Sequence, residues 1–274
     1  MATYKEINGT AVQNYAGDLP GAADGQLWYN STATNFKFQY AATAAAWSTG
    51  GNLNTGRKSL AGSGTQTAAL GFGGDTGSLS ALTESYNGSA WTEVNDLQTA
   101  RSRLAGAGTN TAALAFGGDN PTRTETEIWN GTNWTEVNNL GTGRYLLAGC
   151  GTNTAALGFG GYAPGAPTVN TETWNGTNWT EVNNLNTNRY NLSGAGTNTS
   201  AIAIGGTPAP TGNTELWNGT NWTVVNNLNT ARQAGTAAGV SNTSALFFAG
   251  YDPSPPAGGT AKTESWNGTN WTET

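Results

Sequence analysis

Residues 101–140 read RSRLAGAGTNTAALAFGGDNPTRTETEIWNGTNWTEVNNL. A small-residue run, an apolar run closed by Gly117-Gly118, a polar loop, an alternating TETEIW stretch and a final WTEV follow one another. Period-two patterning bounded by Gly, Asn and Thr clusters predicts four short strands, at 102–108, 112–117, 124–129 and 133–137. Asn130-Gly131 separates the last two, and this pair supplies the positive φ angles of a tight hairpin turn. No helical spacing occurs, which excludes a helical solenoid.

The same pattern recurs along the chain. Trp47, Trp91, Trp134, Trp179, Trp222 and Trp271 lie 43 to 49 residues apart, a period characteristic of propellers and other repeat folds. Ten residues after each of the first five comes an arginine: Arg57, Arg101, Arg144, Arg189 and Arg232. Asn-Gly recurs at Asn87, Asn130, Asn175, Asn218 and Asn267. Four antiparallel strands per repeat make a propeller blade, so the fold class is all-β, a single closed β-propeller.

Blades are expected at 51–94, 95–137, 138–182, 183–225 and 226–274. Trp47 stands in register with the later fourth-strand Trp, so 1–50 is expected to be a divergent sixth blade, with strands near Glu6–Tyr15, at Trp28 and over Phe36–Tyr40. The alternative is five blades with an N-terminal cap.

Composition narrows the chemistry. The net charge is −6 with 11 Lys and Arg against 17 Asp and Glu, which disfavours nucleic acid and anionic membranes as partners. There is no histidine and one cysteine, Cys150, so a His-dependent triad, a disulfide framework and a His-bearing zinc site are excluded. No cofactor or metal is expected. The N-terminus lacks a basic segment followed by an apolar one, and no long apolar run occurs, so a soluble chain without signal peptide or membrane insertion is expected.

The Gly-Gly pairs at Gly73, Gly117, Gly160 and Gly205, each followed by an aromatic and then a Trp, resemble the kelch repeat. The last copy has Ala249-Gly250 instead, and its aromatic-to-Trp interval of five, like that of the others, is shorter than in typical kelch sequences. The leader MATYKEINGT with GQLWYNSTATNFKFQ is similar to the start of marine bacteriophage tail-fibre-like structural proteins. That resemblance implies a virion-associated setting, with a host-surface glycan or protein, or other virion proteins, as partners.

Two sets of residues are candidates for ligand binding. The five arginines form a ring that could hold an anion. Each full copy also carries a Glu two residues before its third-strand aromatic (Glu84, Glu127, Glu172, Glu215, Glu264), and an Arg–Glu pair would make the ring architectural. The second set lies in the loops between second and third strands, where the copies differ most: Asp75, Asp119, Arg123, Tyr162, Tyr251 and Asp252. The paired Trp residues read as core, because a chain poor in Leu, Ile and Val needs them there. No blade carries a unique acidic pair, so no enzymatic activity is expected. The expectation is a non-catalytic recognition or adhesion module. A structural virion component is the alternative, and a glycosidase is the least favoured.

Overall fold

The computed structural model describes residues 13–15, 27–38, 47–119, 121–254 and 257–274, and the chain divides into two units, Met1–Thr49 and Gly50–Thr274. The second unit is a five-bladed β-propeller without a helix among the described residues. Its first blade comprises Ala61–Thr65, Ala68–Phe72, Thr83–Tyr86 and Trp91–Val94, hydrogen-bonded in chain order as an antiparallel meander. The second repeats this with Ala105–Gly108, Ala113–Phe116, Thr126–Trp129 and Trp134–Val137. The third, fourth and fifth begin at Ala148, Ser193 and Thr236. First strands of consecutive blades lie side by side from the first blade to the fifth, so these strands are innermost.

Among the described residues the expected sixth blade is not formed. In the first unit Gln13–Tyr15 pairs in parallel with Leu27–Asn30, and Asn35–Phe38 pairs antiparallel with the latter. A blade requires antiparallel neighbours throughout, and this segment lacks the Gly-Gly and small-residue strand that let blades pack. Trp47 is 71 % exposed and in no strand, unlike the later tryptophans whose register it shares. Residues 1–12 and 39–46, including most of the leader and parts of two expected strands, lie outside the described residues.

Blades are joined by a coupled size pattern. Phe72, Phe116 and Phe159, each ending a second strand, press onto the next blade's first strand. There Gly106, Gly149 and Gly194 stand, and a Cβ on them would lie 2.7, 2.5 and 2.5 Å from the ring tip. The fourth blade has Ile204 at this position, and the facing residue is Ala237, for which the smaller side chain leaves room. The fourth-strand Trp of each following blade tilts against the same Phe, with centroids 4.8–4.9 Å apart. Trp134, Trp179, Trp222 and Trp271 donate Nε1–H to the hydroxyls of Thr126's counterparts and of Thr126 itself (Thr83, Thr126, Thr171 and Thr214), one blade back. The third-strand tryptophans Trp129, Trp174, Trp217 and Trp266 are buried and donate to backbone carbonyls. The indoles are core and inter-blade connectors, each with its polar atom satisfied.

The Asn-Gly turns differ from the expected geometry. Only the glycine is left-handed, as at Gly131 with φ 94°, and the loop spans four residues between paired Trp129 and Trp134. Asn130 acts through its side chain, whose Oδ1 accepts from the backbone N–H of Thr132 and Asn133. This is an Asx turn.

Cys150 lies in the third blade's first strand, buried, its thiol pushed up to about 12 by that burial. A neutral buried thiol is a poor nucleophile. Cys150 is expected to resist a thiol reagent at pH 8 in the native protein and to react fully in denaturant; stoichiometric native labelling would contradict this packing.

Candidate functional site

The ring arginines are anchored inside their own blades. In the second blade Arg101 Nη1 donates to the Glu125 carbonyl at 2.6 Å, and Nη2 pairs with Glu127 Oε1 at 3.0 Å. The other Glu127 oxygen accepts from the Gln98 backbone N–H at 2.7 Å, tying down the linker from the preceding blade. Arg57–Glu84, Arg144–Glu172, Arg189–Glu215 and Arg232–Glu264 repeat the pair at 2.7 to 3.0 Å, with arginine side chains wholly buried. Burial pulls the guanidinium groups of Arg101, Arg144 and Arg189 below the usual arginine range against the pull of their glutamates. It likewise pushes the Glu127 carboxyl up despite Arg101. All five arginines therefore sit beneath the loop face, their forks directed at protein acceptors.

Above them lies a built surface. Two residues after each ring arginine the backbone is left-handed although none is glycine: Ser59, Arg103, Leu146, Asn191 and Ala234 have φ between 53 and 56°. For L-residues this costs roughly 1–2 kcal/mol each. The compensation is circumferential. Arg103 N–H donates to the Ser59 carbonyl, Leu146 to Arg103, Asn191 to Leu146 and Ala234 to Asn191, at 2.8 to 3.0 Å. A clasp of backbone hydrogen bonds thus runs from blade to blade around the axis. The left-handed residue also explains why the first strand of the second blade starts at Ala105, later than expected: a strand cannot pass through Arg103.

These five residues rim a cup of about 300 Å³ at the start of the innermost strands. Leu60, Leu104, Leu147, Leu192 and Gly235 also line it, although the side chains of Leu104, Leu147 and Leu192 are buried against Gly73, Gly117 and Gly160 of the preceding blade. The Gly-Gly pairs make this packing possible: a Cβ on Gly117, whose φ is 69°, would lie 2.6 Å from the Arg144 carbonyl and 3.0 Å from Leu147. Ala234 is exposed, so relief of its backbone strain should outweigh the entropy of a more flexible unfolded chain. Ala234→Gly is expected to stabilise the protein by about 0.5–1 kcal/mol. A raised urea midpoint at unchanged m-value would show it, and a lowered midpoint would contradict it.

Beside the cup an aromatic ridge crosses from the third blade to the fourth. The rings of Tyr145 and Tyr162 lie 5.4 Å apart, and Tyr190 meets Tyr162 edge-on at 5.2 Å. Arg103 lies over Tyr145 at 6.0 Å and bonds Asp119 at 2.9 Å, while Asp119 also accepts from the Ser102 hydroxyl. No family model matches this chain, and no curated protein is similar to it. The candidate site is therefore drawn from geometry alone.

The loop residues singled out in the sequence all fall on this face. Asp75 faces Lys58 at 3.6 Å and caps its own loop through Gly77 N–H. Arg123 pairs with Glu125 at 2.8 Å. Tyr162 opens a short hairpin, Tyr162–Ala163 with Ala166–Pro167, and is the centre of the ridge. Tyr251 is 42 % exposed at the start of a similar hairpin with Gly258–Gly259. Asp252 accepts from Ser254 N–H, which holds its carboxyl below the usual range, and Lys262 stands 3.6 Å away. Among the described residues no cluster of metal-ligating side chains occurs.

Sequence reasoning passed over Arg103, Tyr145 and Tyr190, which form the centre of the site with Tyr162. The signal was present. The two positions after each ring arginine read Lys-Ser, Ser-Arg, Tyr-Leu, Tyr-Asn and Gln-Ala between flanks that barely change. Variation thus sits in these dipeptides as well as in the loops.

Proposed function

We propose that this chain is a non-catalytic recognition module that binds a glycan or a protein surface on the face bearing the second-to-third loops. The observation that carries it is convergence. Blades nearly interchangeable in their buried residues differ after the ring arginines and in the loops, and those differences assemble into one surface of tyrosines, a rim of polar side chains and a cup. Tyrosine and arginine supply large amphipathic contact area with little conformational freedom to lose, the composition of energetic hot spots.

Two further features support the reading. Each third-strand glutamate is engaged by an arginine, which leaves it ill placed as a general acid or base. The kelch-like repeat and the phage-like leader favour a virion-associated adhesin, whose partner would be a host-surface glycan or protein. Immobilised full chain is expected to give saturable binding on a glycan array or on a panel of bacterial envelopes. A blank result with an intact fold would instead favour a rigid structural spacer.

A further inference from the structure

We infer that the sector of the loop face formed by the third and fourth blades binds an uncharged oligosaccharide, an assignment that rests on the recognition reading above. Each blade presents one variable pair of residues on this face, held by the same backbone bridge: Lys58 with Asp75, Tyr145 with Tyr162, Tyr190 with Thr207 and Gln233 with Tyr251. In the second blade Asp119 N–H donates to the Ser102 carbonyl at this place. The frame is constant, so the pairs decide what each sector can hold.

Charge argues for a neutral ligand. Residues 138–225 contain five charged side chains, Arg144, Glu172, Glu181, Arg189 and Glu215. Four of them are consumed in the buried pairs Arg144–Glu172 and Arg189–Glu215, and Glu181 lies on the third blade's fourth strand, away from the ridge. A charged ligand group placed here would lose water without gaining a counter-charge. The adjoining second and fifth blades differ, for there the face carries the ion pairs Arg103–Asp119, Arg123–Glu125 and Lys262–Asp252. A protein partner covering about 800 Å² would extend over those pairs. A sugar chain is narrow enough to stay between them.

The groups on offer match a sugar. Tyr145, Tyr162 and Tyr190 are partly exposed, and their ring faces can take the C–H faces of pyranose rings. Among the described residues none hydrogen-bonds their phenol hydroxyls, which leaves these for ligand hydroxyls. The ridge adjoins a pocket. Thr207, whose backbone pairs with Tyr190, also lines a hollow of about 310 Å³ in the fourth blade, together with Thr187, Asn188, Pro208, Ala209 and Pro210. Apolar walls with a few hydroxyl and amide groups are the lining of a small-molecule subsite, and this volume is at the low end of such sites. Because Tyr190 and Thr207 join ridge and pocket, a ligand that reaches both needs more than one sugar unit.

Titration of the full chain with the cello-, malto-, manno- and chito-oligosaccharides, from monomer to tetramer, tests this, with a sulfated glycan and a polyuronate as charged probes. At least one uncharged series is expected to bind, with the tetramer held about tenfold more tightly than its monomer as the second subsite fills. The affinity should not change between about 0.1 and about 1 M salt. Tyr190→Ala is expected to weaken binding about tenfold. Ala209→Glu, at an exposed loop position, should bring the tetramer down to the affinity of its monomer while leaving the unfolding midpoint in place. Binding of the charged probes alone, loss of affinity with salt, a length dependence that survives Ala209→Glu, or no uncharged series bound by a chain that captures envelope proteins would each overturn the assignment alone. Failure of every glycan together with blank envelope panels would remove the recognition reading as well.

Discussion

Truncating Arg144 to Ala is expected to destabilise the propeller by about 3–5 kcal/mol, the cost of leaving one member of a buried ion pair without its partner. The side chain is wholly buried, and Glu172, itself only 4 % exposed, would keep a carboxylate facing an emptied space. Three backbone-level restraints would go with it, because Arg144 also holds the Gly160 and Asn170 carbonyls and, through Glu172, the Gly141 N–H. Glu172→Gln should cost less than Arg144→Ala, since the amide keeps the shape and one acceptor. Denaturant unfolding monitored by tryptophan fluorescence measures both. A loss below 1 kcal/mol for Arg144→Ala would mean that the ring carries little of the architecture.

A second large effect concerns the junction between the second and third blades. Gly149→Ala is expected to cost about 1–3 kcal/mol, because the added Cβ would stand 2.5 Å from Phe116 Cζ in a junction with no slack. The fourth and fifth blades already show how the protein solves this, with Ile204 against Ala237. Phe116→Ile combined with Gly149→Ala should therefore be more stable than the sum of the single changes allows, by about 1 kcal/mol or more. Strict additivity would show that the Phe–Gly coupling is incidental to blade packing.

The fifth blade contains a second exchange of this kind within one sheet. Gly235 stands where the other blades have Leu, and Phe247 stands where they have Gly or Ala; a Cβ on Gly235 would lie 2.4 Å from the Phe247 ring. Phe247 also lies under the Arg232 guanidinium at 4.8 Å. One large residue in the second strand thus replaces one just before the first. The volume is conserved although both positions break the repeat.

How far the sequence revealed this molecule depended on repetition. Five copies of one pattern made the blades, the Trp contacts and the Arg–Glu pairing legible, because each feature was seen five times at fixed spacing. The N-terminal segment offered one copy only. Trp47 shared the register of a fourth strand, but register does not encode strand direction, and the first unit pairs Gln13–Tyr15 in parallel with its neighbour. At the site, the loops announced themselves by length variation. Arg103, Tyr145 and Tyr190 did not, since they sit within one or two residues of the most constant arginines. The left-handed turn that lifts the Arg103 position to the rim has no sequence signature, because the residues adopting it are Ser, Arg, Leu, Asn and Ala.

In the function proposed, binding resides in the aromatic ridge and cup, while the arginine ring beneath serves architecture. This division is tested most directly by titrating whichever glycan or envelope component the full chain captures against the native protein and against Tyr162→Ala. The side chain is half-buried at the centre of the ridge and touches Tyr145 and Tyr190. Its removal is expected to weaken binding at least tenfold, as for a hot-spot tyrosine, with the fold retained. Undiminished affinity in a folded Tyr162→Ala protein would place the binding surface elsewhere and contradict the account.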